Sequence, residues 1–174
     1  MNPSTRFGLL ACLLVVAVSH IGARDQGAPA PPAPAGPQEV SVIAVLVDAR
    51  TQQPAVVLQG KRDRRTIAMA IGPAEATGIA LPLQHVTPPR PLTHDLFLTL
   101  FGRLRVTVTR AVITDLRDST FYATLFLSVD GSPMELDSRP SDAIAIAIRA
   151  KAPVFAEDRV FEKAALPSGT GPRI

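Results

Sequence analysis

From Ala143 to Ile148 the chain reads Ala-Ile-Ala-Ile-Ala-Ile, six residues without one polar side chain, entered directly from Arg139-Pro140-Ser141-Asp142. A segment with no polar face has to be enclosed on all sides, which places it inside a fold rather than on its surface. The isoleucines alternate as they would on a strand, but the residues between them are alanine rather than polar. Pro140 fixes its own φ and lacks an N–H, and both are harmless in the first turn of a helix. Asp142 then falls in that turn, where the helix dipole favours an anion. The spacing predicts a helix from Pro140 to about Ala150, held between layers of sheet.

The preceding run, Asp137-Ser138-Arg139-Pro140-Ser141-Asp142, brings two carboxylates and a guanidinium to the lip of that helix. Two readings fit it: a working site, or a well-made helix start.

The N-terminus belongs to another class of sequence. Residues 1–23 have a short polar start with Arg6, an apolar run from Phe7 to Val18, and small residues at Ala17, Ser19 and Ala23. That order is the order of a secretory signal peptide, and it implies export to the periplasm or outside the cell. The run is short for a membrane span, which needs about 20 apolar residues. An uncleaved anchor and lipidation at Cys12 are the other readings of this leader. Residues 24–39 are rich in Pro, Ala and Gly and read as a semi-extended linker. Residues 40–165 are enough for one domain with a proper core, and 166–174 read as a flexible tail. The single cysteine lies in the leader, so disulfides, thiolate chemistry and Cys-based zinc sites are excluded for the mature chain.

Eighteen Lys and Arg against fifteen Asp and Glu give a formal charge of +3. That is close to balance, so clusters matter more than the total. Lys61, Arg62, Arg64 and Arg65 form one, and with Arg90 they are the candidate nucleic-acid contacts. Arg103, Arg105 and Arg110 form another. A solvated turn and a charged, protected edge strand explain the same residues without any ligand.

The chain echoes itself at a shift of 67 residues. Ala44-Val45-Leu46-Val47-Asp48-Ala49-Arg50 aligns with Ala111-Val112-Ile113-Thr114-Asp115-Leu116-Arg117, and Pro73-Ala74-Glu75-Ala76 with Pro140-Ser141-Asp142-Ala143. This predicts an α+β fold made by internal duplication of two β3-α units in β/α/β layers. The first unit has strands at 40–47, 54–59 and 66–71 and a helix from Pro73 to about Leu81. The second has strands near 104–114, 120–129 and 133–137 before the Pro140 helix. An amphipathic helix, capped by Thr93 and running to about Gly102, links them.

Four polar groups stand out: Glu75; His94 with Asp95; Asp137 with Arg139 and Asp142; and Asp115-Leu116-Arg117-Asp118. Carboxylates, an arginine and a histidine are the types that phosphodiester hydrolysis needs. They hold divalent ions, offset charge on the phosphorane and move protons near neutral pH. Glu75, His94, Asp95, Asp137, Arg139 and Asp142 are therefore the catalytic candidates. Glu75, Asp137 and Asp142 are the candidates for Mg or Mn, although none sits at a diagnostic metal spacing. Helix capping, dipole compensation and an ion pair from Arg139 to Asp137 or Glu75 are the structural alternatives. A phosphate-binding glycine loop and a nucleophilic serine elbow are both absent from the sequence.

Taken in order, Ile71-Gly72-Pro73-Ala74-Glu75-Ala76, Arg90-Pro91-Leu92-Thr93-His94-Asp95-Leu96, Asp118-Ser119-Thr120-Phe121-Tyr122-Ala123, Asp137 to Ala145 and Ala152 to Glu157 resemble the bifunctional nuclease (BFN) domain family. The resemblance covers roughly 40–165. It implies the paired three-strand-plus-helix fold, cleavage of both DNA and RNA, nucleic acid as partner, and self-association into a homo-oligomer. Thr66-Ile67-Ala68-Met69-Ala70-Ile71 departs from the family, which more often has a Leu-Pro pair there. A non-catalytic exported binding or assembly module on the same scaffold is the competing expectation.

Overall fold

The two-residue links Asp118-Ser119 and Asp130-Gly131 show how local chemistry sets the sheet. All four residues have positive φ (47° and 61°, then 47° and 86°), the tight hairpin turn whose twist matches that of paired strands. They join β4 (Val106–Arg117), β5 (Thr120–Val129) and β6 (Ser132–Ser138) into an antiparallel meander. An equivalent meander is built earlier by β1 (Gln38–Val47), β2 (Pro54–Gly60) and β3 (Thr66–Ala70). These elements come from a computed structural model, which describes residues 36–165. The expected signal peptide, most of the linker and the tail lie outside the described residues.

Helix α1 (Pro73–Leu83) follows β3 and helix α3 (Pro140–Ala150) follows β6, with α2 (Thr93–Arg103) between the units. β7 (Val154–Ala156) and α4 (Asp158–Ala165) close the described chain. The strand order is β3-β2-β1-β7-β4-β5-β6, so the two meanders share one seven-stranded sheet with β7 as the seam. β7 pairs antiparallel with β1 and parallel with β4. The α+β class is thus as expected. Its two βββα units repeat in order, and α1 and α3 stand at the 67-residue offset.

The layering differs from expectation in one respect: it is made by a single continuous sheet. α4 packs on both β3 and β4, although β2, β1 and β7 lie between them in the sheet. Only a strongly bent sheet allows that. Inside the bend lies α3, where Ala143 to Ala147 are buried, packed on α1, α2, β4 and β5. The Ala-Ile run therefore does form an enclosed helix. Ile67, Met69, Ile79, Ile113, Leu125 and Phe161 complete the core around it.

Two boundaries need correction. β1 starts at Gln38, inside the segment read as linker, because Gln38 and Glu39 pair with Ala156 and Phe155 and Gln38 Nε2 donates to Asp63. α2 is capped from Leu92 rather than Thr93. The Leu92 N–H is taken by the Asp95 carboxylate at 2.8 Å, and no side chain caps the helix from the N-cap position itself. β7 and α4 carry no expectation from the sequence. Among the described residues, no helix is long and apolar enough to cross a membrane.

Candidate active site

Helices α1 and α3 begin alike. Each has a proline at its first position and a carboxylate at its third, Glu75 and Asp142. The two helices pack together, so both carboxylates arrive at one place, and Arg139 at the N-cap of α3 joins them. Arg139 Nη1 donates to Glu75 Oε1 at 2.9 Å, and Nε and Nη2 donate to Asp142 Oδ2 and Oδ1 at 2.7 and 3.1 Å. The second contact is a bidentate fork, the strongest geometry available to this pair. The Arg139 side chain is nonetheless 66% exposed, so one face of the guanidinium remains open to an incoming group.

His94, from the first turn of α2, completes the cluster. Its Nε2 faces Asp142 Oδ1 at 3.4 Å, while Nδ1 is buried without a partner among the described residues. The imidazole fits because α1 carries Gly78 opposite it: a Cβ there would lie 2.7 Å from His94 Cε1. Gly72 serves Glu75 in the same way, since a Cβ at that position would overlap Oε2. Glu75, His94, Arg139 and Asp142 line one cleft of about 390 Å³ together with Gly78 and Thr93.

Electrostatics lock this arrangement. Burial pushes the Asp142 carboxyl up, but hydrogen bonds and charge from Arg139, with His94 behind them, outweigh it and hold the group below the ordinary aspartate range. Arg139 is pushed up by its hydrogen bonds to Asp142 and by that carboxylate's charge, with Glu75 adding to the effect. One guanidinium against two carboxylates leaves the cluster net negative while His94 is neutral.

The other candidates lie elsewhere. Asp95 faces away from His94, lining a separate cavity with His85 and Arg149. Burial pushes its carboxyl up, and the Leu92 N–H and Arg149 more than reverse this. Arg149 Nε donates to it at 2.7 Å, and the Arg149 side chain is 9% exposed. Asp137 is exposed on β6, paired in register with Thr124, and contacts neither Arg139 nor Glu75. Asp115 is held locally by Lys163 at 2.6 Å and Arg117 at 3.0 Å.

The basic cluster is a network of its own. Lys61 pairs with Glu39, Arg62 with Asp158 at 3.7 Å, and Arg65 with Asp63 at 2.7 Å and with Asp158, while Arg65 stacks over Phe161. It lies at the far end of β3 from Gly72, roughly 17 Å away at about 3.3 Å per strand residue. Arg90 precedes α2 and is exposed, outside the cleft lining.

Among the described residues, no three His, Cys, Asp or Glu side chains come together in a way that could hold a metal ion. Arg139 already supplies the cation that Glu75 and Asp142 share, and Asp137 stands apart. As arranged, Glu75, Asp137 and Asp142 do not fit a divalent ion. Sequence reasoning also missed Gly78 and Arg149. The first carries no chemistry to flag it, and the second reads as an ordinary basic residue at a helix C-terminus.

The family model of the bifunctional nuclease domain matches residues 56–169, which include every member of the cluster. The chain belongs to the bifunctional nuclease domain family. Uncharacterized protein Rv1829 of Mycobacterium tuberculosis (strain H37Rv) is 38% identical over 128 residues, 74% of this chain and 76% of that protein. Bifunctional nuclease 1 of Oryza sativa subsp. japonica is 32% identical over 81 residues, 45% of this chain but 24% of the rice protein. The Bifunctional nuclease of Oryza minuta matches to the same extent.

Proposed function

We propose that this chain is an exported nuclease that hydrolyses phosphodiester bonds of DNA and RNA with little sequence preference, at the cleft where Arg139 joins Glu75 and Asp142 beside His94. Family membership supports the reaction class. The observation that carries the site is the convergence of three polar side chains, Glu75, His94 and Asp142, from three helices beside one exposed guanidinium.

That geometry supports hydrolysis. An entering phosphate competes with Glu75 for Arg139 Nη1, while the bidentate Asp142 fork keeps the guanidinium oriented. The released Glu75 carboxylate takes a proton from the attacking water as its oxygen bonds to phosphorus. Arg139 offsets the charge that develops on the phosphorane oxygens. His94, as the imidazolium, gives its Nε2 proton to the departing sugar oxygen as that bond breaks; the proton held by Glu75 then leaves to solvent, which reprotonates the imidazole and closes the cycle. Magnesium, manganese and EDTA arms measure whether a divalent ion assists.

Purified chain incubated with plasmid and with RNA tests the reading. Arg139→Ala is expected to lose at least about a hundredfold in rate, the scale on which single preorganised donors act. Equal cleavage by wild type and variant would assign the activity to a contaminant.

A second reading, a non-catalytic assembly module, is favoured by Leu96, Phe97, Leu100 and Leu104, large apolar side chains exposed on and just after α2. It predicts no turnover with any metal and a stable homo-oligomer by light scattering.

A further inference from the structure

We propose that the Arg139 cleft is the middle of a longer groove for a single-stranded polynucleotide, in which Ser119, Thr120 and Phe121 receive the nucleotide next to the scissile phosphate. The inference rests on the nuclease reading above and adds the form of the substrate. The Glu75–Arg139 pair lines two cavities, not one. The first holds His94 and is bounded by the start of α2. The second, about 430 Å³, is bounded by the end of β3 and by the β4–β5 turn, with Ser119, Thr120, Phe121 and Ser141 in its lining.

Phosphodiester chemistry gives that pairing a meaning. A diester carries a sugar on each side of phosphorus, whereas a terminal phosphate carries one. A cation flanked by two cavities matches the diester of a continuous strand. Each volume lies within the range of pockets that enclose small molecules, about 300–1,000 Å³. A cavity of that size encloses one nucleotide, and a base that is stacked and paired in a duplex is not free to enter it. Single strands can place successive nucleotides in successive cavities, with bases against apolar walls. Phe121, half-buried against the core, supplies such a wall.

The full chain is assayed on three substrates: a single-stranded oligonucleotide, its duplex, and bis(p-nitrophenyl) phosphate, a diester that lacks the neighbouring phosphates of a strand. Thr120 is exposed on a strand, so Thr120→Lys and Thr120→Glu leave the core untouched. A strand passing Thr120 feels the added charge through its neighbouring phosphates. At low salt, the ratio of oligonucleotide to small-diester kcat/KM is expected to rise with Lys and fall with Glu. The two should differ by about tenfold, and the spread should collapse as salt is raised. Duplex cleavage is expected to be at least about tenfold slower than single-strand cleavage. Ratios that do not move in either variant, or a duplex cut as fast as the single strand, overturn the proposal. Absence of turnover of all three substrates by wild type sinks the nuclease reading itself, and this one with it.

Discussion

Gly78 is the residue on which the position of His94 depends. With a Cβ 2.7 Å from Cε1 and 3.0 Å from Nδ1, Gly78→Ala forces the imidazole off its place in a cleft wall that has no room to spare. Overpacking costs typically about 1–3 kcal/mol, and alanine's helix propensity returns up to about 1 kcal/mol of it. The expected outcome is a stability loss of at most about 2 kcal/mol by denaturant melt, with a larger proportional fall in turnover because His94 Nε2 no longer faces Asp142. A variant as active as wild type would mean that His94 takes no part in the reaction. The same scale explains why His94 and Asp95, adjacent in sequence, do not share a cavity. Successive helical side chains are separated by about 100° of rotation, so a pair at i and i+1 divides between two faces. The sequence offered both as candidates, and helical geometry allows only one to reach Arg139.

At the scale of elements, the β2–β3 turn shows a charge cluster serving the fold. Arg65 donates to Asp63 through Nε at 2.8 Å, Gln38 adds a bond at 2.9 Å, and together they lower the Asp63 carboxyl to about 2. A folded-state value below the unfolded one means that this contribution to stability is complete above the ordinary aspartate range and is lost as pH falls through about 2. Asp63→Asn is therefore expected to lower the melting temperature at pH 5 and to leave it nearly unchanged near pH 2. An equal deficit at both pH values would contradict the assignment. Strands and helices that bury one face in a regular period were legible beforehand, as were α3, from its proline start and its lack of any polar face, and the 67-residue spacing of the two units. β7 was not, because three residues are too few for a period to show, and the strand exists by pairing with both β1 and β4. Asp137 looked equivalent to Asp142 in the sequence. It remains on the exposed edge strand β6, whereas Asp142 is carried inward by the first turn of α3.

At the scale of the whole molecule, the bent sheet matters because it fixes α3 in the interior and lets α1 and α2 close on its N-terminal end. That places Glu75, His94 and Asp142, residues from three separate helices, around Arg139. The sequence named these four residues and one alternative partner for Arg139 among them, Glu75. It could not show that Asp142 would also bind Arg139, that Lys61, Arg62 and Arg65 would be engaged by carboxylates at the other end of β3, or that a second cavity would open beside Ser119. Those facts depend on how the sheet bends and not on local periodicity. The central claim is that the cluster acts as one catalytic unit. The most direct test compares phosphodiester hydrolysis by Glu75→Gln, Asp142→Asn and the double variant on one single-stranded substrate. Groups that work as a unit give non-additive losses, so the double variant is expected to be hardly slower than the worse single one. Losses that simply multiply, or a double variant as fast as wild type, would contradict it.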